Sequence, residues 1–508
     1  MTAQRKWTLL TLALLMLVAT PRVRNVVVTF PYVMFDDEQH LTENAREMVR
    51  TGDLDPHWYR YPTLPIYLTA AALWVGTAVT GEDDPGRTIA PYYEKPEVVI
   101  WARLAFAAIG VIAMLLAGLA AARAFGRAHL TALTLVALSA SSLVLRHSWS
   151  YNNVDIIGAA VCMGALAYLQ ATWQRTGLLH RAVIPGLFTG AAVASKYYLG
   201  LVGAPFLLAL WWTERRPRNL AVIVLATVVG FVTCMPYSVL SFEAFTVHLE
   251  RELHHYAEGH GSAVFLPGWM HLRVNLEVVF REFGVAGCAL ILLGLAQAWR
   301  RAARRAWLLL LFPLALLLFL SAQQVHFDRN LLSVLFAVGG LLALGVDVAG
   351  RWVLERRGWK RWGAGLALGA AVLVAMPWSV VAPEWTRPVD SRRRALEWVA
   401  TNVPAGVEIA VAEEAHTDPR PLRETHEVRE MPLERILLQR VRGMAGRGEP
   451  LVVILPPPGW SSPEDDSTLV RQRARLELAV RFGSRPVPDN KWLVRRWGDP
   501  LVEVLLLD

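Results

Sequence analysis

Apolar runs long enough to cross a bilayer recur along this chain, and no other feature limits its fold so strongly. A helix needs roughly 20 predominantly apolar residues to cross a hydrocarbon core. Such runs are read at about 8–30, 98–122, 128–146, 154–173, 182–196, 198–213, 219–238, 284–299, 306–321, 331–350 and 363–382. The expected architecture is a polytopic α-helical membrane protein with about 11 spans. Composition agrees: 54% of residues are hydrophobic and 19% charged, where a soluble domain carries about a quarter charged. The opening MTAQRKWTLLTLALLMLVAT has the layout of a signal peptide, but in so apolar a chain it reads as an uncleaved first helix.

Loop charge sets the orientation. The formal charge of +8 would suit a nucleic-acid partner, yet the basic residues fall in short loops between apolar runs, as the positive-inside rule requires. No nucleic acid is expected. The loops are RAFGRAH (123–129), QRTGLLHR (174–181), ERRPRN (214–219), RRAARR (300–305) and RWVLERRGWKRW (351–362). All five are cytoplasmic if the N-terminus is cytoplasmic and the apolar stretch 62–80 lies at or dips into the outer interface without crossing. The polar segments 31–97, 146–155, 239–283 and 321–330 then face outward, as does the tail from about 383. The tail changes character: SRRRALEWVATNVPAGVEIAVAEE reads as amphipathic helix, turn and alternating strand, and MPLERILLQRVRGMAGRGEPLVVILPPP repeats the order. The domain plan is thus 1–382, a membrane domain with first outer loop 31–97, and 383–508, a small extracytoplasmic α/β domain. Cys162, Cys234 and Cys288 lie in or beside apolar runs without metal-like spacing and read as packing residues.

Charges at a membrane interface are costly, so they are functional candidates. Asp36, Asp37 and Glu38 open an amphipathic helix with Leu41, Ala45, Met48 and Val49 on one face, and Gly52 placed to stop it. Acids there favour the helix dipole; with Asp155 expected on the same side, they also suggest a carboxylate cluster. Such a cluster suits a general base or a hard divalent cation such as Mg or Mn.

The stretch FDDEQHLTENAREMVRTGDLDPHWYRYPTLPIYLTAAAL resembles the first outer loop of GT-C membrane glycosyltransferases, in particular the protein O-mannosyltransferase and aminoarabinose-transferase superfamily. Asp37-Glu38, the helix 39–51, Gly52-Asp53 and Tyr61-Pro62 carry the likeness. Asp155, ASKYYLGL (194–201) and HFDRNLLSVLFAVGGLLA (326–343) follow in order. Two departures are Asn330, where the family usually has Tyr, and PTLP in place of PPL. The resemblance implies inverting transfer of a sugar from a polyprenyl-phosphate donor to a lipid, glycan or protein acceptor at the outer face of the cell membrane. Phosphate is a good leaving group, so cations must hold its charge while a carboxylate deprotonates the acceptor, as in inverting glycosidases. Asp37 is then the base, Glu38 its partner, and Asp155 a helper or, with Asp37, a metal ligand.

Lys196 and Arg329, at outer helix ends, are the phosphate candidates, with Arg103 as a third. Headgroup snorkelling of Lys196 and pairing of Arg329 with Asp328 are the structural alternatives. In HLERELHHYAEGHGS (248–262) the zinc motif H-E-x-x-H is absent, because Glu250 and Arg251 stand where its first histidine would be. His254, His255 and His260, with Tyr256 and Trp269, are read as sugar- or acceptor-binding residues, as are His57, Tyr59 and Tyr61. A secondary transporter with outer-face carboxylates is the rival function, although transporters hold substrate near mid-membrane between repeats, and no repeat is visible here.

Overall fold

The computed structural model describes residues 3–33, 36–89, 92–149, 153–213, 217–259, 265–357, 389–412, 417–431, 451–455, 477–482 and 502–507. It divides into two compact units. The first comprises Met1–Asn25, Asn44–Asp84 and Trp101–Thr386, and the second Val26–Glu43, Pro85–Ile100 and Arg387–Asp508.

The helices through the first segments are α1 (Ala3–Thr29), α2 (Asp36–Thr51), α3 (Leu64–Thr80), α4 (Pro96–Phe125), α5 (Leu130–Ser139), α6 (Ser142–His147) and α7 (Val154–Thr172). They are followed by α8 (Ile184–Ser195), α9 (Gly203–Thr213), α10 (Pro217–Cys234), α11 (Tyr237–Leu240), α12 (Phe242–Glu258), α13 (Trp269–Ser321) and α14 (Leu332–Arg357). Among the described residues six helices, not eleven, are long and apolar enough to cross a membrane. The physical reason is that several apolar runs are interrupted. The run 128–146 breaks at Ser141, whose side chain caps α6 by accepting from Val144 N. The runs 182–196 and 198–213 give only the 12-residue α8 and the 11-residue α9, with a 3-10 turn, Tyr197–Val202, between them. At 1.5 Å per residue such helices reach about 18 Å, short of a roughly 30 Å core. The runs 284–299 and 306–321 both fall within α13, counted once among the six, although non-helical backbone at Ala302 kinks it between them and at Gly284 before the first. Residues 363–382 lie outside the described residues. The stretch 62–80 forms the 17-residue α3, about 25 Å long, and Trp74, Val75 and Val79 on it are exposed.

The core of the first unit is a continuous apolar cluster that includes Phe106, Leu135, Cys162, Leu166, Phe312 and Phe336. Small residues set its helix spacing. A methyl group at Gly345 of α14 would overlap the Leu290 carbonyl of α13, and one at Gly190 of α8 would overlap the Thr227 carbonyl of α10. Three of the basic loops, 123–129, 174–181 and 300–305, gather at one end: Arg305 donates to Arg123 O at 2.5 Å, Gln170 to Arg305 O at 3.1 Å, and Tyr168 pairs with His180 at 2.7 Å. Asp347 there accepts from Arg127, from His129 at 2.9 Å and from Arg351 at 3.1 Å.

The second unit holds a hairpin of β1 (Thr88–Ile89) and β2 (Tyr92–Tyr93), the helix α15 (Ser391–Asn402), and a five-stranded sheet. The sheet strands are β3 (Glu408–Ala412), β4 (Glu427–Met431), β5 (Leu451–Leu455), β6 (Glu477–Phe482) and β7 (Val502–Leu507), in the order β4-β3-β5-β7-β6. Parallel β4-β3-β5 pairing turns antiparallel at β5-β7 and β7-β6. The first helix–turn–strand of the tail is where its pattern placed it, and LVVIL is a strand; the second expected helix falls outside the described residues. Arg420 ties the hairpin to this unit by donating to Tyr93 O at 2.9 Å and Glu94 O at 2.7 Å. Arg392 lies 3.9 Å over the Tyr32 ring, paired to Asp390.

Candidate functional site

Three helix ends of the first unit bring Asp155, Lys196, Arg329 and Asn330 together. Asp155 is in the first turn of α7, its N–H bonded to the Asn153 cap oxygen at 2.7 Å. Lys196 leaves α8 in extended backbone (φ −160°, ψ 126°), so its side chain departs from the helix face. Its Nζ donates to Asp155 Oδ1 and, at 2.8 Å, to Asn330 Oδ1. Arg329 and Asn330 sit on the 3-10 turn Asp328–Leu331 that leads into α14. Arg329 Nε lies 3.6 Å from Asp155 Oδ2, an ion-pair distance. Asp155, Lys196 and Asn330 are all buried.

Aromatic faces flank both cations. Lys196 Nζ is 5.1 Å from the Tyr198 ring centroid, and the Arg329 guanidinium 4.9 Å from that of Phe327, within cation–π range. Among the described residues the buried Tyr198 hydroxyl has no hydrogen-bond partner, and such a group calls for one. Tyr198 meets Tyr256 of α12 edge-on at 6.0 Å. Behind Arg329, Asp328 accepts from His326 at 2.9 Å and from Arg281, and His326 contacts His271 at 3.1 Å.

The other candidates are placed as follows. Asp37 and Glu38 belong to the second unit, in the first turn of α2; Asp37 is half-buried and Glu38 fully buried. Leu41, Ala45 and Met48 form the buried face of α2, and Gly52 at φ +75° ends it. Arg103 is buried on α4. His254 is exposed and paired with Glu258 at 2.8 Å, and His255 packs edge-on against Tyr256. His260 lies outside the described residues. Tyr61 packs edge-on against Trp58.

The loop 52–63 is anchored through Tyr59 and Asp55. Tyr59 is buried with Ala194, Met235 and Phe245. Its hydroxyl donates to Asp55 Oδ1, while Ser241 Oγ donates to Asp55 Oδ2 at 2.6 Å and His57 N to Oδ1 at 2.8 Å. The Tyr59 N–H donates to His248 Nδ1 at 2.9 Å, and Tyr197 to Tyr59 O at 2.8 Å. Burial raises the Asp55 pKa, but the bonds from Ser241, Tyr59 and His57 outweigh it and hold the carboxyl below its usual value. His57 is exposed, and its bond to Asp53 raises its pKa. Burial, with Arg251 and Arg60 nearby, lowers that of His248. Sequence reading missed Asp55, Ser241 and His248 as a group, and the pairing of Asn330 with Lys196. It also passed over Arg22, fully buried on α1 and bonded to Ser148 Oγ at 2.6 Å; a charged residue within an apolar run was the available signal.

The two oxygens of Asp155, also a metal candidate, face an ammonium and a guanidinium. Among the described residues no group of three or more His, Cys, Asp or Glu side chains stands together as a metal set.

No family model matches the sequence, and no curated protein does. Solved structures do. ArnT from Cupriavidus metallidurans in the apo state superposes with a TM-score of 0.56 at 16% identity, covering 99% of this chain and 98% of its own. The structure of the same protein bound to undecaprenyl phosphate gives 0.57 over the same coverage, again at 16% identity. The Archaeoglobus fulgidus oligosaccharyltransferase gives 0.44 at 15% identity over 79% of this chain and 61% of its own, too low to bear on the fold. At these identities the agreement with ArnT is one of fold.

Proposed function

We propose that this chain, a multi-pass membrane protein with the fold of the GT-C glycosyltransferases, moves a sugar from a polyprenyl-phosphate donor to an acceptor at the extracytoplasmic face, with inversion. The observation that carries the reading is the meeting of Lys196 and Arg329 at one buried carboxylate where three helix ends converge. An arginine fork and a lysine point charge are the usual partners of phosphate oxygens. A donor phosphate can take the place of Asp155 as their partner, and the Tyr198 hydroxyl beside Lys196 has a hydrogen bond to give. The ArnT structure with undecaprenyl phosphate supports a polyprenyl-phosphate ligand.

In this reaction the sugar–phosphate bond breaks as the acceptor oxygen bonds to the anomeric carbon. The phosphate leaves with its electron pair, held by Lys196 and Arg329, and needs no proton. The proposed base is Asp37, which takes the acceptor's proton, with Glu38 orienting it. The cluster sits at helix ends, whereas a transporter holds substrate charges near mid-membrane, so the transfer reading is preferred to the transporter one.

The test is direct. Purified full-length protein is offered a panel of polyprenyl-phosphate sugars, and released polyprenyl phosphate is measured; competition by polyprenyl phosphate alone is measured for wild type, Lys196→Ala and Arg329→Ala. Release from one donor, with weakened competition in both variants, supports the proposal. Failure of wild type to bind polyprenyl phosphate overturns it.

A further inference from the structure

A groove of about 510 Å³ opens between α4, α7 and α8, at the end of the first unit that carries the basic loops. Leu116, Ala160, Gly164 and Phe188 line it, with Arg123 and Tyr168 toward its basic end. Its volume is within the range of ligand pockets. The ends of this groove differ in kind. Ala160 and Gly164 keep its floor low, and the nearest atoms to a methyl added at Gly164 would be Phe188 at 3.5 Å and Leu116 at 3.6 Å. At the other end Arg123 donates to Ala167 O at 3.0 Å, Arg305 reaches Arg123 O, and His180 bonds Tyr168. Basic side chains from three loops thus surround the end of an apolar slot.

We infer that this groove holds one acyl chain of an anionic phospholipid, its phosphate against Arg123 and Arg305. Basic pockets between membrane helices on the cytoplasmic side suit anionic lipid headgroups. A polyprenyl-phosphate donor is the other lipid with a phosphate, but its proposed site lies elsewhere. Tyr168 is 13 residues beyond Asp155 on α7, about 20 Å along the helix axis, so a headgroup at Arg123 belongs to the opposite leaflet. The groove and its basic end stand without the proposed reaction; the choice of phospholipid over polyprenyl phosphate rests on the proposed donor site.

The full-length protein, stripped of lipid, is offered phosphatidylglycerol and phosphatidylcholine with identical acyl chains in equal amounts. Bound lipid is counted by native mass spectrometry. Phosphatidylglycerol should be retained roughly tenfold over phosphatidylcholine. Arg123→Gln should bring the ratio near one, and Gly164→Leu, which fills the groove, should remove the bound lipid. Ala160→Leu serves the same purpose should Gly164→Leu fail to fold, and the wild-type ratio decides without either. Equal retention of the two lipids, an unchanged ratio in Arg123→Gln, or displacement of phosphatidylglycerol by an equal amount of polyprenyl phosphate would overturn the inference.

Discussion

A lysine at the end of a membrane helix ordinarily snorkels to the headgroups; Lys196 does not. Its ammonium is buried and shared between Asp155 and Asn330. Its removal should therefore be felt where the phosphate binds. Lys196→Ala and Arg329→Ala are each expected to weaken polyprenyl-phosphate binding by roughly 1.5–3 kcal/mol, the range for charged hydrogen bonds. Titration of folded, detergent-purified variants measures this, and wild-type affinity in both would return these residues to a structural role. The proposed base gives a second expectation. Asp37→Asn keeps shape and hydrogen bonding but takes no proton, so turnover should fall about 10²- to 10⁴-fold with donor affinity retained. Asp36→Asn should cost far less. Equal losses at the two positions would show that the wrong acid was chosen.

At the level of elements, two features should control stability. The loop 52–63 is pinned to α12 and to the turn before it through Asp55, Ser241 and His248. Because the Asp55 pKa is lowered in the folded protein, its contribution is present above the unfolded value, about 3.9, and is lost as pH falls through the lower folded value. Limited proteolysis between Gly52 and Pro62 should therefore accelerate below about pH 4, and Asp55→Asn should be cleaved readily at neutral pH with little further change on acidification. A pH-independent wild type would remove the latch. The other feature is the α13–α14 crossing. Gly345→Val would press its Cβ against the Leu290 backbone, which cannot move aside. A loss of about 3 kcal/mol or more is expected, at or beyond the upper end for overpacking, read as a lowered Tm or poor expression. The same substitution at Gly52, where no atom lies within 4 Å, meets only the strain of positive φ.

For the whole molecule, Arg123, Arg305 and His180 gather at one end, and we propose from the positive-inside rule that this end is cytoplasmic. Reporters fused near Phe125 and near Leu451 should accordingly lie on opposite sides of the membrane, the first cytoplasmic. Both on one side would mean that α3 or another short helix crosses where the proposed topology has it not crossing.

Much was legible because it is local. Apolar runs, basic loops, the buried stripe Leu41-Ala45-Met48 with its stop at Gly52, and the strands at 408–412 and 451–455 follow from periodicity and composition over a few residues. So did the choice of Asp155, Lys196 and Arg329 as charges worth explaining. What the sequence alone left open was which charge meets which. Lys196 reaches partners 41 and 134 residues away, and Ser241 reaches Asp55 across 186; such pairs depend on where helices end in space. The span count fell for the same reason. An apolar run records only that its residues avoid water, and a cap at Ser141, an extended Lys196 or a break at Gly284 decides whether it becomes one long helix or two short ones. Those breaks hold because packed neighbours accept the freed backbone and side-chain groups, and that packing exists only once the chain has folded.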